Sequence, residues 1–105
     1  MSAAPATQLT RYRDQLRELR HAMEWSDLHT PGNLAKSVSI EAAELLECFQ
    51  WSDADSFDSS DVQDEVADVV IYAIQLADIC GFSLGEAIEF KMAKNEGRFL
   101  GELGR

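Results

Sequence analysis

A glutamate stands in the middle of an apolar helical stripe. Leu34, Val38, Leu45 and Phe49 recur at spacings of three and four, the rhythm of one face of a helix, and Glu41 falls in line with them. An ionised carboxylate on such a face must either neutralise or find a cation. Glu44 lies one turn further on the same side. The chain repeats the arrangement in a second segment, where Glu65 and Asp68 are one turn apart among Val62, Val66 and Val69, with Tyr72 a further turn along. Any fold open to this sequence must give these E-x-x-E and E-x-x-D pairs somewhere to go.

The rest of the pattern is helical too. Leu9, Tyr12, Leu16, Leu19 and Met23 form the stripe of a first helix. Thr30 followed by Pro31 supplies an N-cap and a first-turn proline for a second helix, which is expected to run to about Trp51. The polar run from Ser52 to Ser60 reads as a surface loop. Ser60 with Gln63, and Ser83 with Glu86, have the spacing of capping boxes for a third and a fourth helix. The third should end at Gly81, and the fourth, carrying Ile88, Phe90 and Met92, should fray from Gly97. The β-branched residues of the third segment would suit a strand, but not one nearly 20 residues long. The expected class is all-α, a four-helix bundle-like domain over residues 9–100, with loose tails at 1–8 and 101–105.

Composition narrows the function. The 105 residues carry a formal net charge of −10, which disfavours unaided binding to nucleic acid or to an anionic membrane, because phosphate contacts need clustered Lys and Arg. A phosphorylated ligand must therefore arrive with a cation. No apolar run approaches the roughly 20 residues of a membrane span, and the first residues lack a secretory pattern. Cys48 and Cys80 have no C-x-x-C spacing and read as small apolar residues. The expected setting is cytoplasmic. A domain of this length buries only about two-thirds of its unfolded surface, so an oligomer is expected.

If the two acidic pairs face each other, four carboxylates surround one pocket, and repulsion destabilises it unless cations enter. Mg²⁺ is the natural occupant, a hard ion that prefers oxygen and completes its shell with water and phosphate. Mn²⁺ is a possible substitute, whereas Zn²⁺ favours His or Cys, which are not spaced for it. The competing interpretation is a solvated acidic face, in a chain where 19 residues are Asp or Glu.

The segments W-S-D-L-H-T-P-G-N-L from Trp25, E-A-A-E-L-L-E-C-F-Q-W from Glu41, D-E-V-A-D-V-V-I-Y from Asp64 and K-M-A-K-N from Lys91 resemble the MazG-like pyrophosphohydrolases of the all-α NTP pyrophosphatase superfamily, in particular their dCTP pyrophosphatase branch. The resemblance implies hydrolysis of a nucleoside triphosphate to monophosphate and pyrophosphate. Glu41, Glu44, Glu65 and Asp68 would hold Mg²⁺ and carry the catalysis. It also implies a nucleobase pocket of Trp25, His29, Trp51 and Tyr72, phosphate contacts from Lys91 and Asn95, and a homo-oligomer, a tetramer rather than a dimer. Without it, Trp25 and Trp51 read as core or interface residues, His29 as a cap and Lys91 as a surface ion-pair partner. The loop after Trp51 is shorter than in some relatives, and Gly97, Arg98 and Phe99 replace the usual basic and aromatic close, which bears on substrate preference. The rivals are phosphoribosyl-ATP or dUTP hydrolysis, and a non-enzymatic acidic module that binds metal or a partner.

Overall fold

The computed structural model describes residues 6–51 and 57–103. Four helices follow in order: α1 (Ala6–Ala22), α2 (Pro31–Glu47), α3 (Ser59–Ile79) and α4 (Leu84–Leu103). There is no strand among the described residues, and the β-branched run of the third segment lies inside α3. No single helix among them is long and apolar enough to cross a membrane.

The caps explain the boundaries. Thr30 is extended at the start of α2, and its hydroxyl accepts from the Asn33 N–H at 3.1 Å with Pro31 in the first turn, as expected. α2 ends at Glu47, short of Trp51, because Cys48, Phe49 and Gln50 tighten into bonds to the carbonyls three residues back. The expected Ser60–Gln63 box does not form. Asp58 caps α3 instead, accepting from the Ser60 N–H at 2.8 Å and the Asp61 N–H at 3.3 Å, since a carboxylate is the stronger acceptor and suits the positive end of the helix dipole. Ser83 does cap α4, accepting from the Glu86 N–H at 3.3 Å. α1 begins at Ala6, ahead of the first apolar residue of its stripe, and α4 continues through Gly97 and Gly101 to Leu103. Of the expected tails and loop, Met1–Pro5, Ser52–Ser56 and Gly104–Arg105 lie outside the described residues.

α1 and α3 end in the same turn. The Trp25 N–H reaches back to the Arg20 carbonyl and that of Glu24 to His21, while the Phe82 N–H reaches Ala77 and that of Gly81 reaches Asp78. This is the Schellman arrangement, which needs a left-handed residue just past the helix. Gly81 takes it at φ 86°, and Glu24 takes it at φ 56° despite its side chain. After Gly81, α4 departs from α3 at a bend of 102°.

That bend shapes the molecule. α2 packs along α3 and on no other helix, whereas α1 spans α3 and α4. The four helices therefore do not close into one bundle within a single chain. Among the described residues, only Leu34, Ile74 and Ala77 of the apolar side chains are buried. The radius of gyration is 16.7 Å, against about 13 Å for a compact chain of this length. An open groove of about 700 Å³ runs between α1 and α3, lined by Leu9, Tyr12, Leu16, Leu19, Val70 and Ile71.

α1 is pinned to α3 by Asp78. An acidic residue near a helix C-terminus meets the negative end of the dipole, so it needs cationic partners. Arg17 donates to it twice, through Nε at 2.8 Å and Nη2 at 2.5 Å, and Arg20 Nη2 adds a third bond at 3.0 Å. Arg17 first, then Arg20, hold the Asp78 carboxyl below its ordinary range. The Arg20 side chain is only 11% exposed and the Asp78 side chain 8%, so removing the carboxylate strands a desolvated guanidinium. Asp78→Asn is expected to cost on the order of 3 kcal/mol at pH 7. A depressed carboxyl stabilises the fold above its unfolded value, near 4, and that contribution vanishes as pH falls through the folded value. Urea melts of both proteins should thus differ fully at pH 7 and converge in strong acid.

Candidate metal centre

α2 presents Glu41 and Glu44 to α3, and α3 presents Glu65 and Asp68 in return, because packing the two apolar stripes together brings the interrupting acids into register. Glu41, Glu44 and Glu65 each offer a carboxylate oxygen within 4.8 Å of the others. Asp68 lies outside that group, yet its charge raises both Glu41 and Glu65. The Oε2 atoms of Glu41 and Glu65 are buried from solvent with no hydrogen-bond partner. Buried acceptors without donors are rare in folded proteins and call for an explanation.

The electrostatics agree. A hydrogen bond with Glu44, burial, the Glu44 charge, a hydrogen bond with Glu65 and the Asp68 charge together push the Glu41 carboxyl up to about 7. Burial and the neighbouring acids raise Glu65 as well. Two carboxylates share a hydrogen bond only while one keeps its proton. The cluster thus holds a proton where a cation fits, and its all-oxygen donor set suits a hard ion such as Mg²⁺ or Mn²⁺ and not Zn²⁺.

A second group forms at the turn between α1 and α2. The Trp25 and His29 rings are 5.3 Å apart, tilted by 36°. They are held by bonds from the Leu28 and His29 N–H groups to the Trp25 carbonyl and from the Asn33 side chain to the Leu28 carbonyl. Burial first, and the Arg20 charge second, keep His29 below its ordinary pKa. Tyr72 is half-buried on α3, one turn beyond Asp68, while Trp51, just past α2, is 91% exposed. Lys91 is exposed in a depression at the α3–α4 corner beside Phe90 and Lys94, and Asn95 is half-buried one turn on. Both stand on a helix that does not touch α2. The structure therefore gathers Glu41, Glu44 and Glu65, pairs Trp25 with His29, leaves Trp51 exposed past α2, and places Lys91 and Asn95 on a helix that does not pack on α2. The Arg17–Asp78–Arg20 clasp has only one sequence signal, Asp78 itself, an acid among the mainly apolar residues 73–80.

Carboxylates contributed by two packed helices define an all-α protein with an acidic cluster suited to a cation. The MazG-like family model matches residues 36–100, and the chain belongs to that family. It is similar to dCTP pyrophosphatase 1 of Rattus norvegicus, 36% identical over 90 residues, and of Homo sapiens, 33% identical over the same length; each match covers 78% of this chain and 53% of the relative. The chain thus spans about half the length of these curated relatives. A pyrophosphatase from Archaeoglobus fulgidus superposes with a TM-score of 0.74 at 38% identity, covering 94% of this chain and 95% of that one.

The raised carboxyls set a pH dependence. The folded chain holds a proton on Glu41 that the unfolded chain releases near its ordinary value, so without metal the protein loses stability as pH rises from about 4.5 through 7. Thermal melts in chelator should fall across that interval, and Mg²⁺ should reverse the fall. Calorimetry in two buffers of different ionisation enthalpy should show proton release on Mg²⁺ binding at pH 6, and much less at pH 8.5.

Proposed function

We propose that this chain is a Mg²⁺-dependent nucleoside triphosphate pyrophosphohydrolase that prefers dCTP or a modified dCTP and serves nucleotide-pool control or clearance of altered nucleotides. The observation that carries the reading is the pair of solvent-excluded, unpartnered oxygens on Glu41 and Glu65 at the meeting point of the acidic pairs. The names of the relatives support the reaction and the nucleotide.

Glu41, Glu44, Glu65 and Asp68 hold the metal in this reading. Bound Mg²⁺ supplies charge neutralisation, orientation of the triphosphate and activation of water. Water attacks the α-phosphorus, the bond to the β-phosphate oxygen breaks, and pyrophosphate leaves. Glu41, crowded between Glu44 and Glu65, is our choice for the group that accepts the water's proton. Trp25, Trp51 and Tyr72 supply flat surfaces for the base, His29 a polar edge, and Lys91 and Asn95 contacts for phosphate oxygens.

The last two depend on assembly. α4 stands clear of α2, so Lys91 and Asn95 reach a phosphate at the acidic cluster only if a second copy brings its own α4 across. The open α1–α3 groove, with Leu19 46% and Val70 40% exposed, fits burial against another copy. We place residues 9–100 as one catalytic unit in a homo-oligomer, a tetramer, in the cytoplasm. Light scattering should give an oligomer, and Val70→Glu should dissociate it and remove activity together.

Product analysis tests the reaction. Pure protein incubated with Mg²⁺ and a panel of canonical and modified triphosphates should yield monophosphate and pyrophosphate, with dCTP or a modified form turned over fastest and chelation stopping the reaction. Faster turnover of dUTP or phosphoribosyl-ATP would end the dCTP assignment. No turnover at all would leave a non-enzymatic acidic metal-binding module. Glu44→Gln or Asp68→Asn should lower kcat by about 100-fold or more with helicity intact, the loss expected when several kcal/mol of metal-derived stabilisation disappear.

A further inference from the structure

Gln75 on α3, 6% exposed, is the most deeply buried polar residue among the described ones. Its side chain makes no hydrogen bond to another described residue. In a closed interior, an amide left that way costs the desolvation of two N–H donors and a carbonyl acceptor. The interior is not closed here. The side-chain atoms sealed from solvent without a partner belong to Arg20, His29, Glu41 and Glu65. The Gln75 amide, unpartnered but not sealed, therefore keeps an opening to solvent while the rest of the residue is covered. A donor and an acceptor stand ready on a buried stem, with no group of the chain to satisfy them.

The register of α3 sets that amide between the acidic cluster and the Trp25–His29 turn. Glu65, Asp68, Tyr72 and Gln75 follow at spacings of three, four and three, and Gln75 stands two turns past Asp68, about 10 Å along the axis. At about 100° per residue it falls at the seam between Glu65, which meets the acids of α2, and Ile71 and Ile74, which line the α1 groove. Asp78, one turn further on, flanks the same seam and binds Arg20 at 3.0 Å, and the Arg20 carbonyl accepts the Trp25 N–H. The turn that carries Trp25 and His29 is thereby tethered within a helical turn of Gln75 along α3.

We propose that Gln75 is a specificity-determining residue: its amide reads the Watson–Crick edge of the base of a triphosphate whose phosphates lie at the acidic cluster. The assignment rests on the proposed pyrophosphohydrolase reading. Two helical turns match the reach of a nucleotide from its α-phosphate to its base. Cytosine carries an amine donor beside a ring-nitrogen acceptor, and a carboxamide answers both at once, its oxygen accepting from the amine and its NH2 donating to the ring nitrogen. Uracil presents the reverse order, which the amide meets by turning over. Gln75 thus favours a base with an adjacent donor and acceptor, and the choice against uracil falls to other groups.

Calorimetric binding of the α,β-methylene analogue of dCTP in Mg²⁺ tests this without turnover. The comparison is the same analogue built on 2-pyrimidinone, in which hydrogen replaces the amine. The unmodified protein should prefer the cytosine form by about tenfold in Kd, the effect of roughly one hydrogen bond. Gln75→Met, similar in volume but without the amide, should weaken the cytosine form by about that factor and bring the two Kd values to within about twofold of each other. Its melting temperature should be unchanged or raised, because no protein partner of the amide is lost. Equal binding of the two analogues by the unmodified protein overturns the assignment, even if Gln75→Met fails to fold. So does a preference that persists in folded Gln75→Met, and so does failure of both analogues to bind. A preference that depends on Gln75, in a protein that hydrolyses no nucleotide, would sustain the assignment and remove the proposed function instead.

Discussion

Mutual repulsion among carboxylates is the constraint around which this chain is organised. Glu41, Glu44 and Glu65 are held within a few ångströms of each other, with Asp68 close enough to add its field, by the packing of α2 on α3. Apolar packing along α2 and α3, where Leu34, Ile74 and Ala77 are the buried apolar side chains among the described residues, must outweigh the electrostatic term. With its carboxyl pushed up to about 7, Glu41 can keep a proton, which relieves the strain in the metal-free chain. In the proposed reading, a divalent ion would relieve it further by replacing a proton with two positive charges, which would link binding to folding.

The second organising contact lies at the other end of α3. Asp78, placed where the helix dipole opposes it, is tolerated because two arginines of α1 close on it. One acid thus fixes the approach of α1, and with it the position from which Trp25 and His29 project. The cluster and the turn are built independently, the first by an α2–α3 contact and the second by an α1–α3 contact, and α3 is the element common to both.

Much of this was legible in the sequence, for physical reasons. Helical period, the Thr30–Pro31 start and the Ser83 cap are local signals, and each appears where expected. The acids of α2 and α3 were conspicuous because they interrupt apolar stripes. What stayed hidden depends on competition or on distance along the chain. Asp58 and Ser60 are both good caps, and only the folded geometry shows the carboxylate prevailing. Glu24 in the left-handed region has no composition signal, since glycine is the residue that advertises that conformation. The 102° corner after Gly81 could be recognised as a helix stop, but its angle could not, so α2 packs on α3 alone while α1 packs across α3 and α4. Arg20 and Asp78 lie far apart in sequence and look like ordinary surface charges until α1 docks.

The confinement of α2 to α3 has a consequence for how the protein moves. A helical hairpin whose helices are joined by a single connection closes at modest entropic cost and can open locally as a unit. The acidic cluster lies wholly within that unit, whereas the Trp25–His29 turn does not. Amide exchange along α2 should accordingly follow the concentration of divalent ion, while exchange along α1 follows its docking on α3. The α2–α3 contact and the α1–α3 contact are thus separate, with α3 common to both.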